Sequence, residues 1–450
     1  MKQKDAIEIL KLGYNVFLTG PAGSGKTFLL NEYIAYLKKN KISVSITAST
    51  GIAASHIDGR TIHSWSGIGI NETLTNSQIK SLKDRDNLSS RIIPAKVLII
   101  DEISMLNANR LDLIDYVCKA FKQDLRPFGG MQVILCGDFF QLPPVARGKD
   151  DNRFVSESKI WNNMDIKICY LEDQYRQGDK KFLQVLGDIR SNSADEKTFK
   201  ILQQRLNKKI KSKIKPTKLH THNLDVDAHN NFELNKLEGD GYIYEMSSEG
   251  VPYLVESLKN GYCLAPETLK LKIDTTVMFV KNNFAKRYVN GTLGRVVGFD
   301  EDTNYPLVET FAGDHIIAFP EKWRIEEGGE IVASVSQVPL RLAWAITIHK
   351  SQGMSLDAAE IDLSKTFEYG MGYVALSRVR SLDGIKLIGI NQQALKVNDK
   401  VIELNKELLK RSEDNLKNYS KLKKKDLKKM QQSFLDNSKK SNSVGGLFCV

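Results

Sequence analysis

Short apolar runs alternate with stretches of helical periodicity along most of this chain. An amphipathic stretch, Ala6 to Leu12, leads into Tyr14-Asn15-Val16-Phe17-Leu18, which reads as a strand, then a Gly-rich turn and a helix through Tyr36. Further β-rich runs follow at Ile42 to Thr47, Val97 to Ile100 and Met131 to Cys136. Strands alternating with helices predict a parallel sheet covered on both faces. The polar segment Ile70 to Arg91 breaks this rhythm and predicts a small insertion.

A second α/β series starts near Ile166 and includes the strand–helix pattern Leu219 to Leu237. It resumes at Leu340 to Ile346, Ala359 to Leu363 and Ile385 to Ile390. Between Leu271 and Val335 the pattern changes to short strands with Gly and Asn turns, such as Asn290-Gly291-Thr292 and Gly298-Phe299-Asp300. That change predicts a small all-β barrel inserted into the second domain. The expected boundaries are 1–160 with an insertion at about 59–91, then 161–270 together with 336–395, an insert at 271–335, and a tail at 396–450. The tail is Lys-rich and helical, and its Ser/Asn/Gly-rich end from Ser438 to Gly446 is expected to be disordered.

Composition narrows the class. The 450 residues are 41% apolar and 26% charged, an ordinary globular mixture. No apolar run approaches bilayer length, and Met1 to Asp5 lacks the apolar stretch of a signal peptide. The five cysteines are odd in number, far apart and without zinc-like pairing, which fits a reduced interior and predicts a cytoplasmic protein. A net charge of +11 suits a polyanionic partner, although a solvated basic tail explains much of it equally well.

The chemistry starts at Gly20-Pro21-Ala22-Gly23-Ser24-Gly25-Lys26-Thr27, a full G-x-x-x-x-G-K-[ST] loop between a strand and a helix. Glycines let backbone N–H groups converge on phosphates, and the helix N-terminus adds its positive end. Lys26 can neutralise β/γ-phosphate charge, while the Thr27 hydroxyl can ligate Mg2+. The apolar run Val97 to Ile100 ends in Asp101-Glu102, which places two carboxylates at the carboxyl end of a parallel strand. Asp101 suits magnesium and Glu102 suits the base that polarises the attacking water. An isolated Asp-Glu pair is usually a solvated turn; the preceding buried strand reverses that reading. Together the motifs predict nucleoside-triphosphate hydrolysis, without saying what the energy drives.

Further segments, taken together, resemble superfamily-one helicases. Asp101-Glu102-Ile103-Ser104-Met105 and Gly137-Asp138-Phe139-Phe140-Gln141-Leu142-Pro143-Pro144-Val145 look like motifs II and III. Thr47 to Ala54 and Gly59 to Ser64 are similar to motifs Ia and Ib. Leu171-Glu172-Asp173-Gln174-Tyr175-Arg176-Gln177 looks like the motif IV arginine segment, and the stretch to Arg190 looks like a signature region. Thr347-Ile348-His349-Lys350-Ser351-Gln352-Gly353 and Tyr373 to Arg380 are similar to motifs V and VI. Within that group the chain resembles the RecD-like petite-integration-frequency helicases, from its N-terminus to about Gly389.

The resemblance implies an α/β fold with two RecA-like domains and an SH3-like β-barrel inserted in the second. It implies a bacterial 5′-to-3′ DNA helicase acting at the nucleoid, in repair, recombination or telomere-type maintenance. Single-stranded DNA and forks would be its partners, with G-quadruplexes and RNA–DNA hybrids as further substrates. It would have no membrane partner, and would be a monomer that DNA can pair into a dimer.

The resemblance also assigns roles. Gln141 would sense the γ-phosphate, and Gln3 would read adenine. Arg176 and Arg378, expected from the second domain, would act as fingers on transition-state charge. Gly353 would lie at the nucleotide. Thr50, Thr61, His63, Ser64, Thr221, Asn223, His349, Lys350 and Ser351 would contact the DNA backbone. Trp65 and Phe139 are candidates for stacking or for a wedge, and read equally well as core aromatics. His63 and His349 have no Cys or carboxylate at ligand spacing, so a metal site there is discarded.

Other classes remain in view. A P-loop ATPase of another class acting on nucleoprotein would lack the Gly-Asp-x-x-Gln-Leu-Pro and Thr-x-His-Lys-Ser-Gln-Gly pair. An RNA helicase would show a different motif II. A scaffold with a vestigial site would not keep Lys26, Thr27, Asp101, Glu102 and Arg378. The tail allows three readings: a DNA anchor, an amphipathic helix packed through Leu416, Leu422 and Leu427, or an idle end. Packing up to about Leu409 followed by a mobile basic end combines the first two.

Overall fold

A computed structural model describes the chain except residues 70, 145–152, 211–215, 260–262, 284, 289, 328–329 and 441–450. It divides into two compact units, the first comprising Met1–Gly178, Arg190–Asn192 and Val397–Val450, the second Asp179–Ile189 and Ser193–Lys396. Val145 and most of the expected disordered end lie outside the described residues.

The first unit is built on a six-stranded parallel sheet. In chain order its strands are β1 (Asn15–Thr19), β2 (Val44–Ala48), β3 (Arg60–Thr61), β4 (Val97–Asp101), β5 (Gln132–Cys136) and β6 (Ile166–Tyr170), arranged β3-β2-β4-β5-β1-β6. β4 and β5 are buried along their whole length, as strands covered on both faces must be. Helices α1 (Gln3–Lys11) and α2 (Lys26–Lys39) pack Ile7, Leu10, Leu30 and Tyr33 into the core beneath it. Two expected boundaries change here. Ile166 to Tyr170 pairs in register with β1, so the unit runs on to Gly178 rather than ending at 160. Arg60 and Thr61 belong to the sheet, which places the start of the insertion after them; the insertion itself holds the short helices Asn76–Lys83 and Asp86–Ile92.

The second unit has its own parallel sheet. The strands β7 (Thr217–His220), β13 (Ala345–Thr347), β14 (Ala359–Leu363) and β15 (Ile385–Ile390) are arranged β13-β7-β14-β15. Between them, β8 (Thr276–Phe279), β9 (Leu293–Phe299), β10 (Pro306–Thr310), β11 (His315–Ile317) and β12 (Leu340–Leu342) form a five-stranded antiparallel sheet around Val277, Phe279, Val296, Val308 and Leu340. The β insert therefore reaches beyond 335, because Leu340 to Leu342 pairs with β8 rather than with the parallel strands. Helix α3 (Lys180–Arg190) belongs to this unit up to Ile189, its last residue, Arg190, grouping with the first unit, and α4 (Asn223–Asn235) and α5 (Met371–Ser377) follow it.

The Lys-rich end returns to the first unit as α6 (Asp399–Ser420) and α7 (Lys424–Lys440). Leu416, Tyr419, Phe434 and Leu435 pack on the first unit's core, so packing continues well past Leu409. Among the described residues, no helix is long and apolar enough to cross a membrane.

Candidate nucleotide and DNA site

β1 delivers the phosphate loop. Gly25 sits in the left-handed region at φ 82° as the cap of α2, and Gly23 has φ 87°. A side chain at Gly23 would strike Arg176, and one at Gly25 would strike Gln3, so both the backbone and the space demand glycine. Left-handed residues in such a loop turn successive N–H groups toward one side, the geometry of an anion cradle. Lys26 Nζ donates to the carbonyls of Gly20 (2.8 Å) and Pro21 (3.0 Å). Burial lowers its pKa, opposed by Asp138, Cys136 and Glu102. The Gln3 amide donates to the Ser24 and Gly25 carbonyls, both at 3.3 Å, which ties α1 to the loop. Thr27 is exposed on the first turn of α2, and Ala22 and Ser24 are buried in the loop.

The acidic pair stands at the carboxyl end of β4. Asp101 is 6% exposed and accepts from the Glu102 N–H at 2.9 Å. Burial raises its pKa, opposed by hydrogen bonds from Cys136 and the Glu102 backbone and by the charge of Lys26. Glu102 adopts φ 49°, a conformation that costs a non-glycine residue energy and recurs at functional turns. The Ser49 hydroxyl donates to its carbonyl at 2.6 Å and holds that turn. From the end of β5 comes Gln141, 5% exposed, its Oε1 without a hydrogen-bond partner among the described residues. β4, β5 and β1 are successive neighbours, so their carboxyl ends present Asp101, Glu102, Gln141 and Lys26 along one edge of the sheet.

A desolvated carboxylate and an exposed hydroxyl fit a divalent cation. Among the described residues no three His, Cys, Asp or Glu side chains converge as a self-sufficient metal cage. An ion held by Asp101 and Thr27 would therefore take its other oxygens from phosphates and water, the usual habit of Mg2+.

The arginines separate. Arg176 lies in the first unit, beside Gly23, because β6 and the loop after it belong to that sheet; Tyr175 N donates to the Gly23 carbonyl at 2.9 Å. It does not come from the second domain as expected. Arg378 does belong to the second unit; it is 1% exposed and donates to the Val374 carbonyl and the Ser377 hydroxyl at 3.0 Å each. Gly353, in the same unit, has φ 78° just after the turn His349–Ser351.

Of the expected DNA contacts in the first unit, Thr50 and Thr61 cap short helices, accepting from Ala53 N and Ser64 N. His63 faces Arg110 at 3.1 Å, and burial, aided by that arginine, pushes its pKa down to about 4. Trp65 and Phe139 are not available for stacking. Trp65 is 2% exposed and bonds the Ser45 hydroxyl, while Phe139 packs against Phe17, Phe154 and Trp161. They are core residues, as the second of their two readings expects, and not stacking platforms. In the second unit Thr221 is buried and bonds His222, and Asn223 opens α4. Burial lowers the pKa of both His349 and Lys350, and Ser351 is fully buried, its hydroxyl bonded to the Ile348 carbonyl.

A sequence model described as PIF1-like helicase matches residues 2–200. The chain is 44% identical to the ATP-dependent DNA helicase Pif1 of Psychrobacter sp., over 88% of this chain and 69% of that protein. The crystal structure of Pif1 helicase from Candida albicans superposes with a TM-score of 0.80 at 35% identity, covering 90% of this chain and 98% of that one. The chain belongs to the PIF1-like helicase family. A structure of Pif1 helicase from Bacteroides in complex with ADP-AlF3 and ssDNA is also similar, with a TM-score of 0.67 at 30% identity, covering 92% of this chain and 97% of that one. The chain spans about three fifths of the vertebrate PIF1 helicases that it matches.

Sequence reasoning missed two supports of this PIF1-like site. Arg190, the last residue of α3, ion-pairs with Asp138 in the Gly-Asp segment and lies over the Phe140 ring, 4.0 Å from its centroid. Ser49 steadies Glu102. Arg190 ends the stretch that resembles the family signature, which was the available signal.

Proposed function

We propose that this chain, an ATP-hydrolysing DNA helicase by family, moves 5′ to 3′ on single-stranded DNA with Lys26, Thr27, Asp101, Glu102, Gln141, Arg176 and Arg378 as its catalytic set. The observation that carries the reading is the alignment of Lys26, Asp101, Glu102 and Gln141 on the carboxyl ends of three neighbouring strands. Lys26 counters β/γ-phosphate charge, and the left-handed glycines orient backbone N–H groups toward the same oxygens. Glu102, held by its strained turn, accepts a proton from the attacking water. Gln141 offers an unpartnered amide oxygen to orient that water and to report loss of the γ-phosphate. Arg176, packed on the loop itself, and Arg378 neutralise charge that develops on transfer. Mg2+, bound by Asp101 and Thr27, would supply further charge neutralisation on the phosphates.

For backbone contacts that ignore sequence we assign Thr50, Thr61, His63 and Ser64 of the first unit and Thr221, Asn223, His349 and Lys350 of the second; Ser351, buried with its hydroxyl bonded to Ile348, supports its turn instead. The Bacteroides relative binds ssDNA, and another solved relative comprises two coordinating Pif1 helicases at forked dsDNA. We extend these to single strands and forks as partners here, with paired copies on a fork. G-quadruplexes, RNA–DNA hybrids, genome maintenance and a place at the bacterial nucleoid follow from the same reading. ATP hydrolysis with and without single-stranded DNA tests it. Strong stimulation by the strand is expected, and a rate indifferent to DNA would point instead to a P-loop ATPase of another class.

A further inference from the structure

The C-terminal helices form a strap on the first unit. α6 runs along the open edge of β6, where backbone groups would otherwise be unpaired. Arg411 donates to the Ile166 carbonyl (3.1 Å), Asn415 donates to the Ile168 carbonyl (3.2 Å), and the Ser412 hydroxyl accepts from Tyr170 N (3.0 Å). α7 is fastened in turn to α1: Gln431 donates to Glu8 at 2.7 Å, and the Phe434 ring fills the space left by Gly13. The elbow between α6 and α7 is therefore held on both sides.

That elbow is strongly basic. Residues 421–429 contain six lysines against one acid, Asp426, and all six lysines are exposed. Among the described residues, the ion pairs of the strap fall elsewhere, as in Lys406–Glu403 and Arg411–Glu407 on α6, and none involves the six elbow lysines. Lys424 and Lys428, and likewise Lys425 and Lys429, stand four apart on one helix, where like charges repel. They also occupy the opening turns of α7, where the backbone dipole disfavours cations. Among the described residues no ion pair offsets these repulsions, and a bound polyanion would relieve them.

We propose that the Lys421–Lys429 elbow is a sequence-independent grip for the backbone of duplex DNA, separate from the single-strand contacts of the motor. The proposal rests on the helicase reading above. Two features favour duplex over single strand. Single-strand sites add aromatic platforms for bases, and residues 421–433 include no aromatic. Duplex also carries the denser charge, so an exposed lysine cluster releases more counterions from it.

The test uses the full chain with Lys424, Lys425, Lys428 and Lys429 all replaced by Gln. Binding of a short blunt duplex is measured without ATP across a salt series, beside binding of a single strand. The parent should bind duplex with a steep salt slope, and the variant should lose about three units of that slope and about tenfold or more in low-salt affinity. Melting temperature, single-strand affinity and DNA-stimulated ATPase should match the parent. An unchanged duplex slope, or a loss confined to the single strand, overturns the proposal. A parent whose ATPase ignores single-stranded DNA would sink the helicase reading instead, and that result is read independently of the ATP-free duplex titration.

Discussion

Arg190 Nη1 donates to both carboxylate oxygens of Asp138, at 2.8 Å each, and the pair is almost fully enclosed. The same guanidinium also reaches the Tyr170 hydroxyl at 3.0 Å and covers Phe140. The end of α3 thereby holds the turn that carries Gln141, whose N–H donates to the Asp138 carbonyl.

Removing that arginine strands a buried carboxylate. Arg190→Ala should destabilise the first unit by about 3–5 kcal/mol, the usual cost of breaking a buried pair from one side. It should also lower kcat for ATP by loosening Gln141. Thermal melting and steady-state ATPase read both, and an unchanged melting temperature would show that the pair carries no such load.

Glu102→Gln keeps the shape of the site and removes the base. ATP binding should persist while turnover falls by about 10²–10⁴-fold. Lys26→Ala should instead lose nucleotide affinity, since phosphate charge goes uncompensated. Equilibrium binding beside turnover separates the two, and a Glu102→Gln protein hydrolysing at the parent rate would remove Glu102 from the mechanism.

His63 gives the first unit a pH dependence. Its pKa, about 4 when folded, rises to about 6.5 in the unfolded chain, which therefore binds the proton more readily between those values. Stability is full above about pH 6.5 and falls as pH drops toward 4, by at most about 3 kcal/mol. A His63→Gln protein lacks this group, so the parent's melting temperature should fall faster with acid than the variant's. Parallel profiles would mean that His63 takes up its proton freely in the folded state.

Truncation after Lys396 removes the strap with its edge bonds and its apolar contacts. Water takes up the freed edge groups, so each lost bond costs only about 0.5–1.5 kcal/mol, but with the apolar packing gone as well melting should drop clearly. A truncated chain that melts with the parent would show the strap to be a passive appendage.

The nucleotide motifs are legible in the sequence because their spacing is itself the chemistry: a strand, glycines, Lys26 and a helix, then a buried strand ending in Asp101-Glu102. Assignments that depend on which element pairs with which are not. Ile166 to Tyr170 is an apolar run that either sheet could accept, and its pairing with β1 moved Arg176 to the phosphate loop. Trp65 and Phe139 look the same in a sequence whether they face a base or a core, and only packing decides. Arg190 resembles any cation ending an amphipathic helix until the fold brings Asp138 to it. The tail's leucines and aromatics are too sparse to announce a packed helix, yet Phe434 seats itself where Gly13 leaves room.

Strand displacement on partial duplexes bearing a single-stranded tail tests the central claim most directly. ATP-dependent release is expected from a 5′-tailed substrate, little from a 3′-tailed one, and none with Glu102→Gln. Release from the 3′-tailed substrate alone, or equal release without ATP, would contradict it.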